Sequence, residues 1–320
     1  MNINFRSYAQ MHCLLRSAAF DIPNSVDLII GLPRSGIAPA VALASHLNTP
    51  YQSLPEFVAG LRPVSGKTRP LDGDFTTESQ ARHILLVDDA VALGREMRSA
   101  LSTLKKSSFA GNVTTLAVYA SSVGRHLVDI YLEVVSSPRI FEWNVLNHWI
   151  LENACVDIDG VLCRDPRSIE LMFPWAYQRF LETVPVRARP KYKIAHIVSS
   201  RQEKYRKQTE KWLGMSRIRY KNLHLMPNTS ALDRAMSRPH AEFKASVYRN
   251  VPASLFIESD NEQAVAISRL TSKPVLSWNV AVMVSDGSAT LHGAAKVALA
   301  GGLVKRLVRA VGPQHGRALL

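Results

Sequence analysis

Cysteine is scarce in this chain: Cys13, Cys155 and Cys163 are the only three in 320 residues. They show no CxxC spacing and no even framework, which excludes a disulfide-stapled scaffold and fits a reducing cytosol. Acid is the next shortage, with 26 Asp and Glu against 39 Lys and Arg, a formal net charge of +13. The basic residues are dispersed rather than gathered into one run, so nucleic acid is not the expected partner, and the charge suits capture of small polyanions. No apolar stretch is long enough to cross a bilayer, no secretory leader pattern opens the chain, and no internal repeat appears. The length fits two α/β domains, and the cysteine usage makes a cytoplasmic location the expectation.

Two places concentrate acid at the ends of apolar runs. In Ile84-Leu85-Leu86-Val87-Asp88-Asp89-Ala90-Val91-Ala92-Leu93-Gly94, four apolar residues lead into a carboxylate pair, the pattern of a buried strand delivering chemistry at its C-terminal end. Adjacent carboxylates repel, and two neighbouring sugar hydroxyls would stabilise them by donating hydrogen bonds. Gly94 opens an expected helix from Arg95 to Lys105, whose N-terminal amides suit a phosphate. Upstream, residues 27–40 read as strand, Gly-containing turn and helix through about Leu47, with Arg34, Ser35 and Gly36 in the turn. Between the two lies Pro55 to Arg82, rich in Gly, Pro and charge and including Arg62, Lys67 and Arg69, which reads as a long functional or disordered connection.

The acidic run resembles the PRPP-binding motif of the type I phosphoribosyltransferases, and the upstream segment resembles their pyrophosphate loop. The resemblance implies that Asp88 and Asp89 grip the ribose hydroxyls, Gly94 and Arg95 cradle the 5-phosphate, and Arg34, Ser35 and Gly36 hold pyrophosphate. It makes the long connection a flexible hood whose Lys67 and Arg69 neutralise the departing pyrophosphate. The chain departs from the family where Thr-Thr-Gly-x-Thr usually follows the acidic pair. Ala92, Leu93, Gly94, Arg95 and Glu96 stand there, without the hydroxyls and with an added negative charge that Arg95 is placed to offset.

The second acidic cluster is Cys155-Val156-Asp157-Ile158-Asp159-Gly160. Two carboxylates two residues apart at a strand end suit Mg²⁺, which takes one or two carboxylates plus substrate oxygens and water. The run resembles motif I of the haloacid dehalogenase (HAD) superfamily phosphatases, in which the first Asp attacks phosphorus and the second serves as acid and base. Asp157 and Asp159 fall on those positions. The resemblance continues in order: Ser199 in Ala195-His196-Ile197-Val198-Ser199 as the phosphoryl-binding hydroxyl, Lys244 as the neutralising lysine, and Leu255-Phe256-Ile257-Glu258-Ser259-Asp260 as the metal-binding acids. Asp157, Asp159, Glu258 and Asp260 are thus the expected Mg²⁺ set, and whether Glu258 or Asp260 is inner sphere stays open. Gln202 to Leu213 is expected to be a helix, and residues 164–189 a small cap over the site.

The implied architecture is an N-terminal phosphoribosyltransferase-like parallel sheet over residues 1–150, a HAD-like Rossmannoid sheet with a small cap over 151–285, and a C-terminal helical tail over 286–320. The tail is expected to dock on its own protein or on a second copy in a homodimer. Phe141 and Trp143, near the domain boundary, read as packing or as a platform for a base. The implied function is a bifunctional enzyme of nucleotide metabolism that transfers phosphoribosyl from PRPP to a nucleobase and hydrolyses a phosphomonoester, with the nucleotide product as one possible substrate. The alternative is a phosphatase governed by an inactive PRPP- or nucleotide-sensing domain.

Overall fold

The computed structural model describes residues 3–64, 81–228 and 239–285. Lys67, Arg69 and the segment expected as a tail lie outside those residues. Contacts divide the chain into two compact units, one of residues 8–139 and one of residues 3–7 with 140–285. The break at Arg139/Ile140 precedes the expected boundary at 150. The N-terminal strand β1 (Asn4–Arg6) belongs with the second unit, where Ile3 and Phe5 join its core.

The first unit holds a parallel sheet of β2 (Leu28–Gly31), β3 (Tyr51–Ser53), β4 (His83–Val91), β5 (Asn112–Ala120) and β6 (Ile130–Val134), in the order β3-β2-β4-β5-β6. Parallel strands covered on both faces read as continuous apolar runs, which is why Leu28 to Ile30 and Ile84 to Val87 are almost wholly enclosed. Each such side chain contributes roughly 1.5–3 kcal/mol of burial, an upper figure because unfolded chains already hide some surface. The helix Arg95–Lys106 buries Met97, Ala100 and Leu104, spaced three and four apart on one face, against Leu28, Ile30, Ile84 and Leu86. The Asp27 carboxylate accepts from the backbone N–H of Arg82 (2.8 Å) and His83 (3.1 Å), fixing where β4 begins.

After β7 (Arg139–Phe141), which pairs with β1, the second unit builds a six-stranded sheet. Its strands are β8 (Ala154–Val156), β9 (Ile194–Gln202), β10 (Tyr220–Met226), β11 (Leu255–Glu258), β12 (Val275–Ser277) and β13 (Val282–Val284). The order is β10-β9-β8-β11-β12-β13, parallel except for the antiparallel pair β12/β13, so this sheet is mixed. Alternation splits the strands between two cores: Val156, Ile197 and Ile257 pack with Phe180, Leu181 and Trp212, while Cys155, Val198 and Phe256 pack with Ala245, Tyr248 and Ile267.

Two element boundaries differ from the sequence expectation. β4 continues through Val91, with Asp88 paired to Ala117 and Ala90 to Tyr119, so the acidic pair sits inside the last part of the strand. β9 extends to Gln202, and the helix expected from Gln202 starts only at Arg206, after a 3₁₀ turn at Glu203–Tyr205. Cross-strand pairing prolongs both strands, into an expected loop at β4 and an expected helix at β9, because β5 and β10 supply ladder partners that the local sequence does not announce.

Candidate functional site

In an open α/β sheet, ligands gather beyond the carboxyl ends of the strands where the strand order reverses direction. Each unit has one such point. In the second it lies between β8 and β11, since the chain goes from β8 outward to β9 and β10 and then returns to β11 on the other side. The short β8 therefore delivers Asp157 to the middle of the sheet edge, beside Glu258 from β11.

Lys244, on the helix Pro239–Asn250, reaches both carboxylates, donating at 2.7 Å to Asp157 Oδ2 and at 2.7 Å to Glu258 Oε2. It also donates to Gln263 Oε1 at 3.1 Å, and all three ionic side chains are almost fully buried. Burial works against the ammonium, but Asp157 and Glu258 overcome it and hold the Lys244 pKa above its ordinary value. With both carboxylates ionised, the single ammonium would leave the buried triad one positive charge short. Burial, opposed by Lys244 and reinforced by Glu258, pushes the Asp157 carboxyl up to about 8.

Asp159 points to a different partner. Arg201, wholly buried, clamps it from two nitrogens, Nε to Oδ2 at 3.1 Å and Nη2 to Oδ1 at 2.7 Å. The Arg201 guanidinium lies 5.4 Å from the Trp212 ring and 5.8 Å from Phe180. Gly160 makes the turn between motif and cap with φ +79°, where a side chain is strained, and an added Cβ would come within 2.4 Å of the Ser259 side chain. Asp260 serves the backbone as well, its Oδ1 accepting from Gln263 N at 2.9 Å as the N-cap of the helix Asn261–Thr271.

A second hydroxyl, Ser200, stands next to the one expected at Ser199. Ser199 is fully buried and its Oγ accepts from Arg201 N at 3.3 Å. The pairing of β9 with β10 shifts register there, Leu225 opposite Ser199 but Met226 opposite Gln202, which bulges Ser200 and Arg201 out of the ladder. Such a bulge re-aims side chains. Ser200 rather than Ser199 consequently lines the cavity, and its buried Oγ has no hydrogen-bond partner. That cavity, about 810 Å³, is lined by Asp157, Asp159, Asp165, Lys244, Glu258 and Asp260 on its polar side. Among the described residues no three Asp, Glu, His or Cys side chains converge as a closed metal cage.

The segment expected as a cap holds the helices Ser168–Met172 and Pro174–Thr183, from which Leu171, Met172, Pro174 and Tyr177 line the cavity. A bidentate pair from Arg164 to Glu170, at 2.7 and 2.5 Å, ties its first turn down and lowers the Glu170 pKa to about 2. Phe180 and Leu181 anchor it in the core, while Leu171 and Met172 stay exposed.

In the first unit the reversal falls between β2 and β4. Leu32 N donates to Val87 O at 2.9 Å, holding the loop after β2 against the acidic strand. Gly36 permits the approach, since a Cβ there would sit 2.7 Å from Val87 O and 3.0 Å from Asp88 Cα. Arg34 is exposed and Ser35 half-buried in the same loop, which Gly36 brings against the start of the acidic pair. Burial, then the adjacent Asp89 charge, pushes the Asp88 carboxyl up to about 8. Arg139 is a cation that the sequence reading missed: burial lowers its pKa, and the field of nearby Asp89 opposes the fall. The helix at Arg95 starts after Gly94 (φ +67°) with Arg95 and Glu96 both exposed in its first turn. Phe141 and Trp143 fall in the second unit, where they stack with centroids 4.9 Å apart and planes within 5°.

Residues 6–149 match the family model of the phosphoribosyl transferase domain, so the chain carries a phosphoribosyltransferase-type domain there. Among solved structures, the chain is similar to the purine phosphoribosyltransferase from Pyrococcus horikoshii Ot3, with 22% identity over 45% of this chain and 94% of that one and a TM-score of 0.34. It is also similar to the Helicobacter pylori xanthine-guanine-hypoxanthine phosphoribosyltransferase, with 16% identity over 45% of this chain and 93% of that one and a TM-score of 0.34. The orotate phosphoribosyltransferase from Aeropyrum pernix is another, with 19% identity over 40% of this chain and 70% of that one and a TM-score of 0.28. No curated protein sequence matches the chain. No helix among the described residues is long and apolar enough to cross a membrane.

Proposed function

We propose that the phosphoribosyltransferase-type domain joins a nucleobase to PRPP and that the second unit is a Mg²⁺-dependent phosphomonoesterase of the HAD type. In the first reaction the bond from the ribose anomeric carbon to pyrophosphate breaks, one to a base nitrogen forms, and the proton that nitrogen loses passes to water. Asp88 and Asp89 accept from the ribose hydroxyls, Arg34 and Ser35 donate to the departing pyrophosphate, and the amides around Gly94 and Arg95 face the 5-phosphate.

In the second reaction an Asp157 oxygen attacks phosphorus as the ester P–O bond breaks, with Asp159 giving the leaving oxygen its proton. Asp159 then takes a proton from water, whose oxygen displaces Asp157 and releases orthophosphate. Arg201 fixes the direction of Asp159, and Ser200, with its unpartnered Oγ on the cavity wall, joins Ser199 as a candidate donor to the phosphoryl oxygens. The hard oxygen donors of Asp157, Glu258 and Asp260 and the missing positive charge of the buried triad fit Mg²⁺, which needs no closed protein cage. When bound it would be held by these carboxylates and the Asp159 carbonyl and would neutralise charge on the transferring phosphoryl group.

The observation that carries the phosphatase reading is the buried bridge from Lys244 to Asp157 and Glu258 at the reversal point of the sheet. Its test is Asp157→Asn, which keeps size and removes the nucleophile. Purified variant should retain the fold and lose Mg²⁺-dependent phosphate release from phosphomonoesters; release near the parent rate removes the assignment.

A second reading, in which the first domain binds PRPP or a nucleotide without turnover and governs the phosphatase, is favoured by Ala92, Leu93 and Glu96 in the phosphate loop. Loss of hydroxyl donors and gain of an exposed carboxylate both weaken transition-state stabilisation more than they weaken folding.

A further inference from the structure

The cavity of the second unit is far larger than a phosphoryl group requires. Its volume of about 810 Å³ falls in the range of roughly 300–1,000 Å³ that encloses molecules of drug or cofactor size. Besides the ionic cluster already described, the lining has an apolar part: Leu171 and Met172 come from the helix Ser168–Met172, Pro174 and Tyr177 from the helix Pro174–Thr183, and Tyr205 from the turn after β9.

The chemistry of that wall is specific. Tyr177 and Tyr205 meet edge to face, with ring centroids 5.3 Å apart at 74°. The Lys204 ammonium stands 5.1 Å from the Tyr205 ring centroid. Leu171 and Met172 remain 61% and 68% exposed, apolar surface presented beside a polar cluster rather than packed into the core. Exposed apolar surface rimmed by polar groups marks a binding face, and Met supplies a polarizable contact that adapts to flat rings.

Resting on the phosphatase reading above, we propose that this site takes phosphomonoesters whose alcohol carries a flat group of nucleobase size, that is, nucleoside monophosphates. The phosphoryl group lies at Asp157 and the base lies against Tyr205, Leu171 and Met172. Ribose 5-phosphate and glycerol phosphate share the phosphoryl end but leave the apolar wall uncovered. The reaction at Asp157 would then consume the class of nucleotide that the first domain's chemistry supplies, releasing the nucleoside and orthophosphate.

The test compares kcat/KM of the full chain with Mg²⁺ for nucleoside monophosphates, ribose 5-phosphate and glycerol phosphate, in the parent and in Leu171→Ser/Met172→Ser. Both changed side chains are exposed, so the fold tolerates them. Nucleotides should be preferred by roughly tenfold or more, the scale of one base stacked on an aromatic ring. The double variant should lower that preference through KM. Equal turnover of all three esters, or a preference untouched by the double variant, overturns the proposal while leaving the phosphatase reading standing. Absence of turnover for every ester sinks the phosphatase reading. Calorimetry on Asp157→Asn then decides the cavity's specificity separately: nucleoside monophosphate binding weakened by Leu171→Ser/Met172→Ser supports it, and binding that the double change leaves intact overturns it.

Discussion

Asp88 shows how a binding residue opposes the stability of the fold that carries it. Burial and Asp89 raise its carboxyl to about 8, above the usual Asp value near 4. A raised carboxyl pKa means that below about pH 4 both folded and unfolded chains are protonated and nothing is lost. Between there and about 8 the unfolded chain ionises while the folded one resists, so stability falls as pH rises through that window. Asp88→Asn removes the effect. The variant should melt higher than the parent at neutral pH, by ~1 kcal/mol or more, with the difference vanishing in acid, while its affinity for PRPP falls. Melting curves across pH check the first, and a variant that melts below the parent at pH 7 refutes the account. This residue was legible because two acids after a buried apolar run are rare in a core. Arg139 was not, because nothing local distinguishes it from the other basic residues; only the fold brings it near Asp89.

At the scale of elements, the strand ends were legible and their extensions were not. The continuous apolar runs at residues 84–87 and 255–257 identify buried parallel strands from composition alone, and the α/β class follows. The prolongation of β9 to Gln202 depends on its register with β10, and the bulge at Ser200 and Arg201 is a property of the pair that neither strand's sequence carries. Arg201 was unreadable for a related reason: a charged residue in the core is rare unless paired, and its partner Asp159 lies 42 positions away. The bulge makes a prediction at this scale. Ser200→Ala removes an unpartnered hydroxyl on the cavity wall and should lower phosphatase kcat/KM by roughly tenfold or more, the loss of one hydrogen bond to a charged group, with the melting temperature little changed. Ser199→Ala removes an acceptor for Arg201 N inside the core, so it should lower the melting temperature first. The reverse pattern, with Ser199→Ala lowering kcat/KM at unchanged stability, would return the phosphoryl contact to Ser199 alone.

For the molecule taken whole, the two proposed chemistries either act in series or one governs the other. The phosphoribosyltransferase-type domain yields a phosphomonoester when it turns over, and the proposed phosphatase consumes one, so full activity predicts flux through both. Pyrophosphate and phosphate measured in parallel separate the readings. With PRPP, Mg²⁺ and an accepted base, the enzyme reading expects pyrophosphate that depends on the base and disappears in Asp88→Asn/Asp89→Asn, and Arg95→Ala should weaken PRPP binding. Phosphate release should then follow pyrophosphate and stop in Asp157→Asn. The sensor reading expects PRPP or a nucleotide to bind without pyrophosphate from any base, yet to change the phosphatase rate, since a ligand shifts two states only by binding them unequally. That change should vanish in Asp88→Asn/Asp89→Asn while the basal phosphatase remains. Base-dependent pyrophosphate removes the sensor reading, whereas a first domain that binds neither PRPP nor nucleotides, beside a phosphatase indifferent to both, removes the two together.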